Sequence, residues 1–165
     1  MAKPTKADGE KALKGAAAVM QGLCDSCCPD CPPAKCKKEA QAIVDAIVAA
    51  WNDNYGEGSN TGKDNIGGYL CWDWARFFRD AALKTKPACW KVKVEMAWDG
   101  PRDASKWQAC HFWLALYACQ EKDDCKVMID DGWFDDDFVH RPPWPGKDWP
   151  RGSKRLPPVT PKKKK

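Results

Sequence analysis

Three side chains suited to covalent catalysis occur in order along the chain: Cys71, His111 and Asp130. A thiolate attacks a carbonyl carbon. An imidazole beside it takes and returns the proton, and a carboxylate fixes the imidazole tautomer. The chemistry is acyl transfer through a thioester. The chain has only two histidines, so the placement of His111 is informative.

These residues need elements to hold them. Cys71 follows Gly67-Gly68 and opens a helical pattern over Leu70–Leu83, with Trp74, Phe77, Phe78 and Ala81 on one face. Backbone N–H groups at a helix start favour a thiolate. Residues 90–98 are apolar at every second position, the pattern of a half-buried strand. CHFWLALYA (110–118) is apolar on both faces, as in a central strand, and begins with the His111 pair Cys110-His111. CKVMID (125–130) is a third strand, and Asp130 ends it. Two antiparallel neighbours can then set His111 beside Asp130. Earlier, Ala40, Ile43, Val44, Ile47, Val48 and Trp51 recur at helical spacing from Cys36 onward. The 17 residues 52–68, rich in glycine and asparagine, form a long loop of the kind that often carries function. A short helix is expected over Asp8–Met20.

GGYLCWDWARFF, CHFWLALY and CKVMIDDGW, taken in order, resemble the transglutaminase-like branch of the papain-like cysteine enzymes. The spacings of 40 and 19 residues fit its small members. The resemblance covers roughly residues 65–135. It implies an α+β papain-like/transglutaminase-like core, with helices packed on a small antiparallel sheet. It also implies Cys71 as nucleophile, His111 as general base and acid, Asp130 as orienting residue, and the Cys71 amide as one oxyanion donor. The family includes peptidases, other amide hydrolases, cross-linking enzymes, deamidases and inactive binding members. Phe112 departs from the usual small residue after the histidine. Asp131 competes with Asp130 for the third role, and Asp130 is preferred because it continues the strand. Asn65, six residues before Cys71, is a candidate second oxyanion donor. A turn asparagine explains it equally well.

Other groups read more plainly. His140 precedes a proline-rich stretch and reads as a surface residue. Asp135, Asp136 and Asp137 lack the alternating spacing of a calcium loop and read as a solvated turn. Trp72, Trp74, Trp98, Trp113 and Trp133 read as core, with one or two available to wall a groove.

Cys24, Cys27, Cys28, Cys31 and Cys36 form two Cys-x-x-Cys pairs almost fused, plus one more. Four of them can wrap one zinc, although structural zinc sites usually separate their pairs further. Disulfides and free thiols are the competing readings. Cys119 and Cys125 flank the 120–124 loop and suit a hairpin disulfide. No cofactor is required by the acyl-transfer reading.

The chain has 165 residues and 10 cysteines, with a net charge of +4 that hides a split. Residues 1–38 carry +3, residues 39–140 carry −7 and residues 141–165 carry +8. The expected organisation is a Cys-rich basic extension (1–38), a catalytic domain (39–140) and a Pro/Lys-rich disordered tail (141–165). The folded centre is acidic, which disfavours nucleic acid; an acidic partner for the Lys162–Lys165 tail is the alternative use of that charge. The apolar run Phe112–Cys119 is too short for a membrane span. The first residues lack an apolar signal region, whereas the cysteine content suits an oxidising compartment. Cytoplasmic residence and signal-independent export both remain open. The expected function is acyl transfer at amide bonds of a protein or peptide. The alternatives are a peptide- or zinc-binding module, and an exported effector of the same fold acting as deamidase or cross-linker.

Overall fold

The computed structural model describes residues 3–62, 65–99, 109–132 and 137–142, without the side chains of 97–99, 109 and 110. Among the described residues four α-helices precede four strands, with a 3-10 turn (Asp123–Cys125) between β2 and β3: α1 (Lys6–Lys14), α2 (Ala16–Cys27), α3 (Pro33–Asn54), α4 (Cys71–Lys84), β1 (Trp90–Asp99), β2 (Ala109–Ala118), β3 (Lys126–Ile129) and β4 (Val139–His140). The class is α+β, as the sequence implies. The sheet is antiparallel throughout, in the order β1-β2-β3-β4. No helix among the described residues is long and apolar enough to cross a membrane. Trp133, Asp135, Asp136, the basic tail beyond residue 142, and the side chains of Trp98 and Cys110 lie outside the described residues.

The predicted face of α3 is buried from Ala40 to Trp51, and α4 buries Trp74, Ala75, Phe78 and Ala82. These faces meet Leu114, Leu116 and Ala118 of β2 and Val127 and Ile129 of β3 in one core. The other face of β2 buries Trp113, Ala115 and Tyr117 with Met128, so this strand is apolar on both sides as expected. On that second face Glu95 is buried. It accepts hydrogen bonds from Trp113 Nε1 at 3.2 Å and from the Tyr117 hydroxyl, and it pairs with Lys126 Nζ at 3.1 Å. A buried carboxylate needs such partners to remain charged.

Three expectations about the N-terminal region are corrected. The helix over Asp8–Met20 is two helices that meet at Gly15, and the second runs on to Cys27. The boundary at 38/39 falls inside α3, because Pro33 starts that helix at a position where its missing N–H costs nothing. The first 38 residues are not an appendage: Leu13, Ala16, Met20, Leu23 and Cys24 belong to the same core as α3 and β2. Trp51 Nε1 donates to the Lys6 carbonyl at 2.8 Å, and Tyr55 donates to the Pro4 carbonyl at 2.9 Å. At Gly9 any Cβ would lie 2.2 Å from the Trp51 ring, so glycine is what lets α1 approach α3.

The cysteine segment is also corrected. Its five cysteines form the disulfides Cys24–Cys36, Cys27–Cys125, Cys28–Cys119 and Cys31–Cys89. Sulfurs bonded to one another are not thiolates, so Cys24, Cys27, Cys28, Cys31 and Cys36 have no zinc ligands to offer. The hairpin disulfide Cys119–Cys125 is replaced by bridges from both residues to the C-terminal end of α2. That helix end lies against the sheet: Gln120 Nε2 donates to the Cys27 carbonyl at 2.7 Å. Cys89, Cys119 and Cys125 all flank the same end of the sheet, where Trp90 pairs with Ala118 and Tyr117 with Lys126. His111 is eight residues away along β2, roughly 27 Å at strand spacing.

Candidate active site

The loop before α4 delivers Cys71. Gly67 and Gly68 take φ of 58° and 92°, and a Cβ on Gly68 would lie 2.4 Å from the Gly58 carbonyl oxygen. The turn is secured by Gly56 N donating to Gly67 O at 2.8 Å and Asn60 N donating to Gly68 O at 3.0 Å. Trp74 Nε1, one turn into α4, donates back to Ile66 O at 2.8 Å. Asp73 accepts from Leu70 N at 3.2 Å and so satisfies a donor at the helix entry. Cys71 is the first residue of the helix and is half-buried.

His111 sits near the start of β2, opposite Ala97 of β1. Its ring is buried, 1% exposed, and Nε2 lies 2.8 Å from Asp130 Oδ2. Cys71 at the start of α4 lies close enough to influence the His111 ring. Burial opposes an imidazolium here, but the bond to Asp130, the nearby Cys71 and the negative charge of both outweigh it. His111 is held well above the usual imidazole range.

Asp130 leaves β3 one residue after Ile129 and is fully buried. Burial raises a carboxyl pKa, yet the hydrogen bond to His111 and the nearby His140 ring prevail and hold Asp130 below the ordinary carboxylate value. Its other oxygen, Oδ1, accepts from Gly132 N at 3.0 Å. Gly132 has φ of 74° and packs on Phe138, where a Cβ would be 2.4 Å from the ring. That turn sends the chain back as β4, with Met128 opposite His140.

The structure therefore brings Cys71, His111 and Asp130 together, and it gives the His111 contact to Asp130. Asp131 is buried beside them. Its carboxylate lies within 4.8 Å of the His111 and Asp130 donor atoms, a separation that can also hold a cation. Both Asp130 oxygens and His111 Nε2 are already engaged within the site, which favours the triad arrangement.

Asn65 does not join them. Its Nδ2 donates to Gly62 O and its Oδ1 accepts from Gly68 N at 3.3 Å. The residue is a brace for the glycine turn, with both ends of its amide used there rather than turned to Cys71. A helix start such as that of α4 offers free backbone N–H groups. Trp72 and Phe112, each directly after a site residue, pack with tilted rings, 5.2 Å between centroids. The reading of His140 as a surface residue is corrected. Its side chain is 8% exposed, and Nε2 lies 3.3 Å from Asp130 Oδ1. Sequence pattern missed it because β4 has two residues and no period to read.

The ion pair has a signature in stability. Asp130 is lowered in the fold, so its contribution is present above the unfolded value of 3.8 and is lost as pH falls through the folded one. His111 is raised, so its contribution is present below 6.5 and is lost as pH rises through the folded value. The thermal stability of wild type minus that of Asp130→Asn is expected to be largest between these limits, and melting curves from acid to alkaline pH measure it. A difference that is flat with pH contradicts a charged His111–Asp130 pair. A scan against family models, a search of curated proteins and a search of solved structures each return no match to this chain.

Proposed function

We propose that this chain is a cysteine-nucleophile acyl-transfer enzyme acting on amide bonds of peptides or proteins, of the transglutaminase-like, papain-like kind. The observation that supports it most is the buried His111–Asp130 contact of 2.8 Å, with a reduced Cys71 at a helix start near enough to raise the His111 pKa. Eight of the ten cysteines are oxidised in pairs, yet Cys71 is kept as a thiol.

In the proposed cycle the Cys71 thiolate adds to the substrate carbonyl carbon. Helix N–H groups receive the developing oxyanion. The C–N bond breaks, and His111 gives its proton to the departing amine. The thioester then meets an acceptor. His111 takes a proton from water, water's oxygen adds to the carbonyl carbon, and the C–S bond breaks to restore the thiolate. Water is the default acceptor because it is abundant; an amine gives cross-linking by the same steps. Asp130 keeps the ring oriented and stabilises the imidazolium throughout. No metal or cofactor enters this cycle.

Iodoacetamide labelling against pH tests the reading, with peptide mapping and no reductant. An isolated thiol at about pH 5.5 is only ~0.1% ionised. Paired with His111, Cys71 is expected to label at this pH up to about a thousandfold faster than such a thiol, and His111→Ala is expected to remove the advantage. Equal labelling in both proteins removes the case for an ion pair and for catalysis.

A further inference from the structure

Resting on the acyl-transfer reading, we infer that Glu95 is a positioning residue of this site: it holds the Trp113 indole in place, and the indole in turn holds the His111 ring against Asp130. Glu95 and Trp113 stand directly opposite each other on β1 and β2. Trp113 Nε1 donates to Glu95 Oε1 at 3.2 Å. His111 lies two residues before Trp113 on β2, so both side chains leave the same face of the strand. Their ring centroids are 6.2 Å apart with a tilt of 42°, within the range of an aromatic pair. The contact to Asp130 fixes one nitrogen of His111 and leaves the ring free to swing about that bond. An indole that cannot move blocks the swing.

Glu95 is itself immobilised. Oε2 accepts from the Tyr117 hydroxyl, and Oε1 also meets Lys126 Nζ at 3.1 Å. These donors come from β2 and β3, so three strands converge on one carboxylate. Glu95, Trp113 and Lys126 are all buried, so water does not compete for the bonds. An apolar pair of the same volume as Glu95 and Lys126 often gives equal or better stability, so the charge at Glu95 is accounted for by what it orients. Among the described residues the titratable groups around His111 are Asp130 and Asp131 after β3, Cys71 at the start of α4, and His140 of β4 beyond Asp130. Around Glu95 they are Tyr117 and Lys126, with Lys93 over the Tyr117 ring and Asp123 at 3.5 Å from Lys126.

The test reads iodoacetamide labelling of Cys71 in the full chain at about pH 5.5 and at about pH 9. A thiol ionises unaided at the higher pH, so only the lower one reports the pairing with His111. Glu95→Leu with Lys126→Met removes the acceptor without stranding a buried charge. Positioning predicts that this double variant loses roughly tenfold at the lower pH, the worth of one hydrogen bond to a charged group, and stays within about threefold at the higher. Adding Trp113→Phe is expected to cost no more than about threefold further, because the two side chains act in series. Tyr117→Phe takes a donor from the same carboxylate but leaves the Trp113 bond, and it is expected to stay within about threefold of wild type at both pH values. Unchanged labelling of the double variant at the lower pH overturns the inference, as does an equal loss at both pH values. A like loss in Tyr117→Phe means that loosening the cluster anywhere suffices, and a loss multiplied by Trp113→Phe means that the side chains act separately; each overturns it too. Should the double variant unfold, Trp113→Phe alone decides, since it removes the N–H and keeps an aromatic ring: a loss near tenfold confined to the lower pH supports the inference, and no loss overturns it. Labelling that needs His111 but not Glu95 sinks the Glu95 role and leaves acyl transfer standing. An unchanged profile in His111→Ala sinks acyl transfer itself.

Discussion

His111→Ala is expected to reduce amide turnover by about 10⁶-fold in kcat, and Asp130→Ala by about 10⁴-fold. The inequality follows from the role each group has in the proposed cycle. In the proposed cycle His111 is the base that serves Cys71, so its loss removes the thiolate's counter-charge and the leaving group's proton together. Asp130 acts through His111. Without it the ring remains but can turn or take the wrong tautomer, and the imidazolium loses its partner. The double variant is expected to be no worse than His111→Ala, because residues that act as a unit are not additive. Peptide-library hydrolysis read by mass spectrometry measures all three. A His111→Ala protein that turns over within tenfold of wild type contradicts the mechanism.

The second large effect concerns stability. Removing Cys27–Cys125 alone, as Cys27→Ala with Cys125→Ala, is expected to cost only about 2 kcal/mol despite a separation of 98 residues. The neighbouring Cys28–Cys119 bridge still closes nearly the same loop, so the freed circuit spans about seven chain steps. Removing both bridges opens a circuit limited only by Cys31–Cys89, and the total rises to about 6 kcal/mol. A domain's whole stability is of order 5–15 kcal/mol, so the single variant should fold and the double should be marginal or unfolded. Denaturant titrations of the two variants without reductant provide the measurement. A double variant that loses no more than twice the single contradicts shared loop closure.

Much of this fold is legible in the sequence because its central elements carry clear periods. The alternation of Trp90, Val92, Val94 and Met96, the two-faced run from Phe112 to Ala118, and the helical spacing from Ala40 to Trp51 each name an element, and the structure has it. Cys71, His111 and Asp130 come together for that reason: each sits at an end of such an element. The failures have a different character. Zinc at the N-terminal cysteines was a reading of local spacing, whereas three of the four disulfides join partners 58 to 98 residues apart. The extent of α2 was hidden because CDSCC reads as a cysteine motif and not as the last turns of a helix. His140 depends on a reversal at Gly132, a left-handed turn that sets one carboxylate between two histidines. Asn65 shows the opposite limit. Its distance from Cys71 along the chain suits an oxyanion donor, but its amide is used within the glycine turn.

The bridge pattern also fixes what a cut in the backbone does. Cys27, Cys28 and Cys31 lie on one side of residues 37–88, and their partners Cys125, Cys119 and Cys89 lie on the other. A single break anywhere in that stretch leaves two polypeptides held by three covalent links. Residues 55–62, exposed or half-exposed and outside any helix or strand, are an accessible loop within it. A break there leaves Cys71, His111, Asp130 and His140 together on the C-terminal piece. The α1–α3 layer stays fastened beneath them, so a nicked molecule is a two-chain form with every site residue retained rather than a pair of separated fragments.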